Sequence, residues 1–176
     1  MKAIFLDIDG VLNSDEYFDK IRGKKIDGIE NDVDIGKIKL LKKALVVTGA
    51  KVVLSSSWRY TRKGEELKKL LLRFGIKTDS TPYIGNERGK EIKQWLENHP
   101  DTEDYVILDD EIFDSYDEVL MKKLIKISNG NGKSFGEGLQ PKDIETIINR
   151  FGRNKLSYDD ELERWWVVYN YLTVVY

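Results

Sequence analysis

Ala3-Ile4-Phe5-Leu6-Asp7-Ile8-Asp9-Gly10-Val11-Leu12 combines a short apolar run with two acids set one residue apart. Ile4, Phe5, Leu6 and Ile8 leave little polar alternation, the pattern of a strand covered on both faces in a parallel sheet. Asp7 interrupts that run, Asp9 follows it, and Gly10 permits a tight turn. Downstream, the same theme returns twice. Lys51 to Leu54 is a short buried strand that runs into Ser55-Ser56-Ser57-Trp58-Arg59, and Tyr105 to Leu108 is another that ends in Asp109-Asp110. Leu124 to Ser128 is a fourth candidate strand.

Helices are expected between these strands. Asp34 can cap one running to Thr48, with Ile35, Ile38, Leu41 and Leu45 on one face and Gly49 as its stop. Others are expected over 63–74, closed by Gly75; over 88–98, with Ile92, Trp95 and Leu96 facing inward; and over 141–151, opened by Pro141 and ended by Gly152. Pro82 to Glu87, and Asn129-Gly130-Asn131-Gly132, are expected loops. Residues 13–34, rich in charge and Gly, are expected to form a hairpin or loop excursion. Strands alternating with helices imply an α/β fold with a mainly parallel central sheet and right-handed crossovers. Ligands of such sheets bind beyond the carboxyl ends of the strands. The two acidic strand ends and the serine run should therefore share one crevice.

Composition narrows the chemistry. The 176 residues are 40% hydrophobic and 34% charged, with 29 Lys+Arg against 31 Asp+Glu. This is a globular composition with no overall basic excess to demand a nucleic-acid partner. There is no Cys and one His, which excludes disulfides, thiolate catalysis and Cys-based zinc sites and disfavours multi-His metal centres. Asp7 cuts short any signal-peptide core, and no apolar run approaches the ~18 residues of a membrane helix. A cytoplasmic location is expected.

Four carboxylates without thiol or imidazole suit a hard cation such as magnesium, held by one or two carboxylates, waters and phosphate oxygens. A cation also relieves the repulsion that raises the pKa values of clustered acids. Asp7 is a candidate nucleophile, since a carboxylate can carry a phosphoryl group. Asp9 can protonate a leaving alcohol and later activate water. Ser56 can donate a hydrogen bond to a phosphoryl oxygen, and a lysine can neutralise its charge.

These residues resemble the haloacid dehalogenase (HAD) superfamily of magnesium-dependent phosphotransferases, in particular its RNA-repair-associated (Swiss Army Knife) branch. Ile4 to Leu12 is similar throughout to the first motif, an apolar strand followed by Asp-x-Asp-x-(Thr/Val)-(Leu/Ile). The resemblance implies Asp7 as nucleophile and metal ligand, and Asp9 as acid/base whose carbonyl also meets the metal. Val53 to Arg59 resembles the Ser/Thr-x-Trp form of the second motif, which selects Ser56, with Ser55 second. Arg88-Gly89-Lys90-Glu91-Ile92 resembles the setting of the third, giving Lys90, with Lys93 as the alternative. Val106 to Asp110 resembles the fourth: Asp110 aligns with the metal-binding acid, Asp109 takes a place often held by Gly, and Asp114 is a candidate trailing acid.

The resemblance covers roughly residues 1–151 and implies a Rossmannoid three-layer α/β/α fold with a minimal cap or none, residues 13–34 serving at most as a flap. The implied activity is phosphomonoester hydrolysis with Mg2+ through an aspartyl-phosphate, on a substrate such as a nucleotide or nucleic-acid end. Ser55, Ser56, Ser57 and Lys90 are expected to hold the phosphate, and Arg59, Arg62 and Lys63 beside the second motif either bind a further substrate phosphate or form a solvated basic face. Asp7, Asp9, Asp109 and Asp110 are the expected metal set.

Residues 153–176 differ in character. Ser157 and Asp160 resemble a helix start, and Leu162, Trp165, Trp166, Tyr169 and Leu172 form a wide apolar face. This tail is expected to pack on its own domain or to meet a partner or a second copy. A HAD-fold scaffold that recruits a partner through the tail is the alternative to an enzyme.

Overall fold

The computed structural model describes residues 1–128 and 134–152. The expected tail helix and the whole of the expected 129–132 loop lie outside the described residues. Among the described residues, five strands, β1 (Lys2–Leu6), β2 (Lys51–Leu54), β3 (Thr78–Ser80), β4 (Asp104–Asp109) and β5 (Leu124–Lys126), form one sheet in the order β3-β2-β1-β4-β5. Every pairing is parallel. Six α-helices among the described residues connect and cover them: α1 (Asp15–Ile21), α2 (Ile35–Thr48), α3 (Arg62–Arg73), α4 (Arg88–Asn98), α5 (Glu118–Lys123) and α6 (Pro141–Phe151).

Alternation along the strands divides the core into two layers. Ile4 and Leu6, Val52 and Leu54, and Val106 and Leu108 pack with Ile38 and Leu41 of α2, Leu67, Leu70 and Leu71 of α3, and Ile144 and Ile147 of α6. Ala3, Phe5, Val53 and Ile107 face the other way, onto Ile92 and Trp95 of α4 and Leu120 of α5. This is the expected α/β/α sandwich. The chain builds outward from β1 through β2 to β3, then crosses to β4 on the opposite side of β1. That reversal opens a crevice at the tips of the central strands.

Local chemistry sets the element ends. Asp34 caps α2 through the amide of Gly36 at 2.7 Å, and Gly49 closes it at φ 70°, as the sequence predicts. Pro141 opens α6. Residues 13–34 do not form a hairpin. Ser14 accepts from the Tyr17 amide, with Asp15 and Glu16 in the first turn of α1, and a 3-10 turn follows over Gly28–Asn31. The Tyr17 hydroxyl donates to the Glu30 carbonyl and ties the two together. Strand β3 and helix α5 are additional to the sequence expectation. No described helix is long and apolar enough to cross a membrane.

Candidate active site at the strand tips

Register brings the tips level. Leu6 pairs with Leu54 on one side and Leu108 on the other. The ladder continues as Ser55 N donates to Leu6 O at 3.0 Å and Asp7 N to Leu108 O at 2.9 Å. Asp7, Ser55 and Asp109 thus stand side by side. A cleft of about 480 Å³ opens over them, lined among others by Asp7, Asp9, Ser55, Ser56, Ser57, Arg59, Arg88 and Asp110. A larger groove of about 620 Å³, around Trp95 and His99, includes Met1, Lys51 and Val52 from the opposite ends of the strands and has none of these side chains.

Asp7, Asp109 and Asp110 are all buried and each offers an oxygen within 4.8 Å of the others'. Burial pushes the Asp7 carboxyl up to about 7; the Arg88 guanidinium opposes this, Asp109 adds to it, a Ser56 hydrogen bond opposes it and Asp110 adds to it. Asp110 is pushed up to about 6 by burial, then by Asp109 and Glu111. Gly10, at φ 69°, lets the chain pass so close to Asp110 that a Cβ would fall 2.3 Å from its Oδ2. Asp7 Oδ1 is 3.0 Å from Arg88 Nη1, outside hydrogen-bonding geometry, and no described group donates a hydrogen bond to it. A buried acceptor without a donor, among acids whose charging is opposed by one another, fits a divalent cation.

Asp109 differs from its neighbours. Its Oδ2 accepts from Arg88 Nη1 at 2.5 Å and the Tyr116 hydroxyl at 3.1 Å, and its Oδ1 from the Glu111 amide at 3.0 Å. Both oxygens are engaged, so its geometry suits an anchor for Arg88. Asp9 is half-buried and held from two sides. Trp58 Nε1 donates to Oδ2 at 2.8 Å and Asn13 Nδ2 to Oδ1 at 3.0 Å. Asn13 also accepts from the Gly10 amide at 2.8 Å, which fixes the turn between the two acids and their loop.

Ser55 and Ser56 both reach the cleft. Ser56 caps the 3-10 turn Ser57–Tyr60, while the buried Ser55 Oγ has no hydrogen-bond partner among the described residues. Ser57 lines the cleft and is exposed. Arg59 lines it too, but its donors turn into the protein. Nη1 meets the carbonyls of Ser55 at 2.6 Å and Ser56 at 2.5 Å, Nε meets Thr81 O at 3.2 Å, and Nη2 pairs with the buried Glu91 at 2.5 Å. Arg59 therefore clamps the serine loop, a role the sequence expectation of a phosphate contact does not describe.

Lys90 is 59% exposed, pairs with Glu87 at 2.6 Å and does not line the cleft. Lys93 pairs with Asp117 at 2.6 Å. Asp114 is exposed and outside the cleft, and Arg62 and Lys63 pair with Glu66 and Asp32. The cation at the acids is Arg88, which sequence reasoning passed over in favour of Lys90. Burial lowers the Arg88 pKa, but the Asp7 and Asp109 carboxylates outweigh it and raise the pKa above its ordinary value. The signal was present: Arg88 opens the helix. A helix advances about 100° per residue, so Lys90 points about 200° away.

A doubly wound parallel sheet with acids at the tips of the neighbouring strands β1 and β4, and a serine loop at the tip of β2 beside them, defines a HAD-type domain, a class generally of hydrolases and phosphatases. The sequence profile of the family described as the HAD domain in Swiss Army Knife RNA repair proteins matches residues 3–134, and the chain belongs to that family. No curated protein and no solved structure matches the chain.

Proposed function

We propose that the protein is a magnesium-dependent phosphomonoesterase that works through an aspartyl-phosphate on Asp7, with a nucleotide or a nucleic-acid end as substrate. The single observation that carries this proposal is the buried trio Asp7, Asp109 and Asp110, with the donorless Oδ1 of Asp7 facing Arg88. Asp7 and Asp110, together with the Asp9 carbonyl, would hold Mg2+, which when bound supplies charge neutralisation to the phosphate. The description of the family by RNA repair supports a nucleic-acid end.

In the first step an Asp7 oxygen bonds to phosphorus as the bond to the leaving oxygen breaks, and Asp9 gives that oxygen its proton. In the second, Asp9 takes a proton from water, whose oxygen bonds to phosphorus while the Asp7 carboxylate departs. Trp58 and Asn13 aim Asp9. Ser55 and Ser56 offer hydroxyls to the phosphoryl oxygens. Arg88 favours the charged form of Asp7 against the larger effect of burial and faces the charge that builds on the phosphoryl group. Asp109 positions Arg88.

The test is turnover of an aryl phosphate with Mg2+. Wild type should turn over and Asp7→Asn should not, EDTA should stop the reaction, and beryllofluoride should form an adduct at Asp7. Full activity in Asp7→Asn or in EDTA would refute the proposal.

A further inference from the structure

Two exposed tyrosines stand on segments that frame the cleft. Tyr60 ends the 3-10 turn that begins at the cleft-lining Ser57, and Tyr83 lies three residues before the cleft-lining Asn86. They are 47% and 61% exposed, and their rings meet edge to face at 5.2 Å. Other exposed large apolar side chains among the described residues, Leu72, Ile112, Val119 and Met121, are aliphatic. Scattered exposed side chains need no explanation. Two aromatic rings in mutual contact and open to solvent do, because burying them would recover a large hydrophobic gain.

The pair is also braced. The Arg59 guanidinium lies 4.1 Å from the Tyr60 ring centre. That guanidinium is itself fixed by Ser55, Ser56, Thr81 and Glu91. Glu91 in turn accepts from the Ile84 amide at 3.0 Å, next to Tyr83. One buried ion pair therefore sets the serine loop and both tyrosine-bearing segments. Aromatic rings held in place and open to solvent suit base stacking, and stacking tolerates any base because each has a π-face.

We infer that Tyr60 and Tyr83 form a base-stacking platform that receives a nucleobase at the phosphorylated end of a single-stranded nucleic acid while its terminal phosphate sits over Asp7. This rests on the nucleic-acid-end proposal above and adds the residues that select such a substrate. The platform lends affinity to ends that carry a base and none to phosphates without one.

The test is fluorescence anisotropy in the Asp7→Asn background with Mg2+, so that the phosphate stays on. The probes are labelled hexaribonucleotides phosphorylated at the 5′ or at the 3′ end, each compared with a version whose terminal nucleotide is abasic. For at least one end the base-bearing probe should bind about 5- to 150-fold more tightly than its abasic partner. Tyr60→Ala with Tyr83→Ala should bring that ratio close to one, Tyr83→Ala alone should lower it, and the double Phe variant should keep it. Equal binding of base-bearing and abasic probes at both ends, absence of binding to any probe, or a ratio unmoved in a Tyr83→Ala protein that melts normally would each overturn the inference. A failure of the phosphatase proposal is separately visible, as absence of aryl phosphate turnover, whatever the anisotropy ratio.

Discussion

Replacing Asp7 with Asn should make the metal-free protein more stable, and the gain should depend on pH. Burial and the neighbouring acids carry the Asp7 carboxyl from 3.8 to about 7. Its folded-state value lies above its unfolded value, so the folded chain binds the proton more tightly. Stability is therefore lost as pH rises from about 4 to about 7 and stays lost above. At pH 8 the charged Asp7 costs the fold about 4 kcal/mol, and at pH 5 about 2 kcal/mol. Asn carries no charge, and Arg88 keeps its contact with Asp109 at 2.5 Å, so the substitution leaves that cation paired.

For a chain of this size the pH 8 figure corresponds to roughly 8–16 °C in melting temperature. Thermal melts followed by circular dichroism in EDTA, at pH 8 and pH 5, measure both gaps. Asp7→Asn should melt well above wild type at pH 8, with the gap narrowing by about half at pH 5. Added Mg2+ should raise the melting temperature of wild type more than that of the variant. A variant that melts at or below wild type at pH 8, or a gap of the same size at both pH values, would refute the reasoning.

Arg88→Ala should lower kcat/KM for an aryl phosphate by about a hundredfold, whereas Lys90→Ala should stay within about twofold because Lys90 meets Glu87 outside the cleft; the reverse order would restore the lysine to the site. Glu91→Gln should destabilise the fold by about 3–5 kcal/mol, since it leaves the charge of Arg59 buried and unpaired. Urea midpoints read the loss, and the double change Arg59→Met with Glu91→Leu should recover part of it.

The central strands and their acids were legible because several signals coincide in few residues. Ile4-Phe5-Leu6 can be satisfied only by burial on both faces, and Asp7, Asp9 and Gly10 then mark a strand tip. Asp34 and Gly49 bracket α2 with a cap and a stop, and Pro141 marks the start of α6. Strand β3 was not legible: Thr78-Asp79-Ser80 has no apolar residue, and pairing with β2 supplies what its own pattern lacks. Helix α5 is six residues long, too short for a periodic signal. Residues 13–34 have the Gly and charge of a loop, yet Ser14 and the following acids cap a helix.

Within the site, residue type was legible and partnership was not. Asp7, Asp9, Ser55, Ser56 and Asp110 do line one cleft. Arg59 has the chemistry of a phosphate ligand, but Glu91, a full segment away in the chain, claims it. Asp109 likewise looks like a ligand until Arg88, Tyr116 and the Glu111 amide are seen around it. Trp58 and Asn13 gave no sign of aiming Asp9, because each does so across a turn closed by the fold.

Strands β1 and β4 are neighbours in the sheet, yet residues 7–103 separate them in the chain. Asp7 is thus made well before Asp110, the acid proposed to share its cation, with three strands and four helices between them. A nascent chain halted anywhere between them carries Asp7 without the acid that lies beside it in the finished sheet. The site is therefore completed in one step, when β4 pairs with β1, and it shares its timing with the slow non-local closure of the sheet.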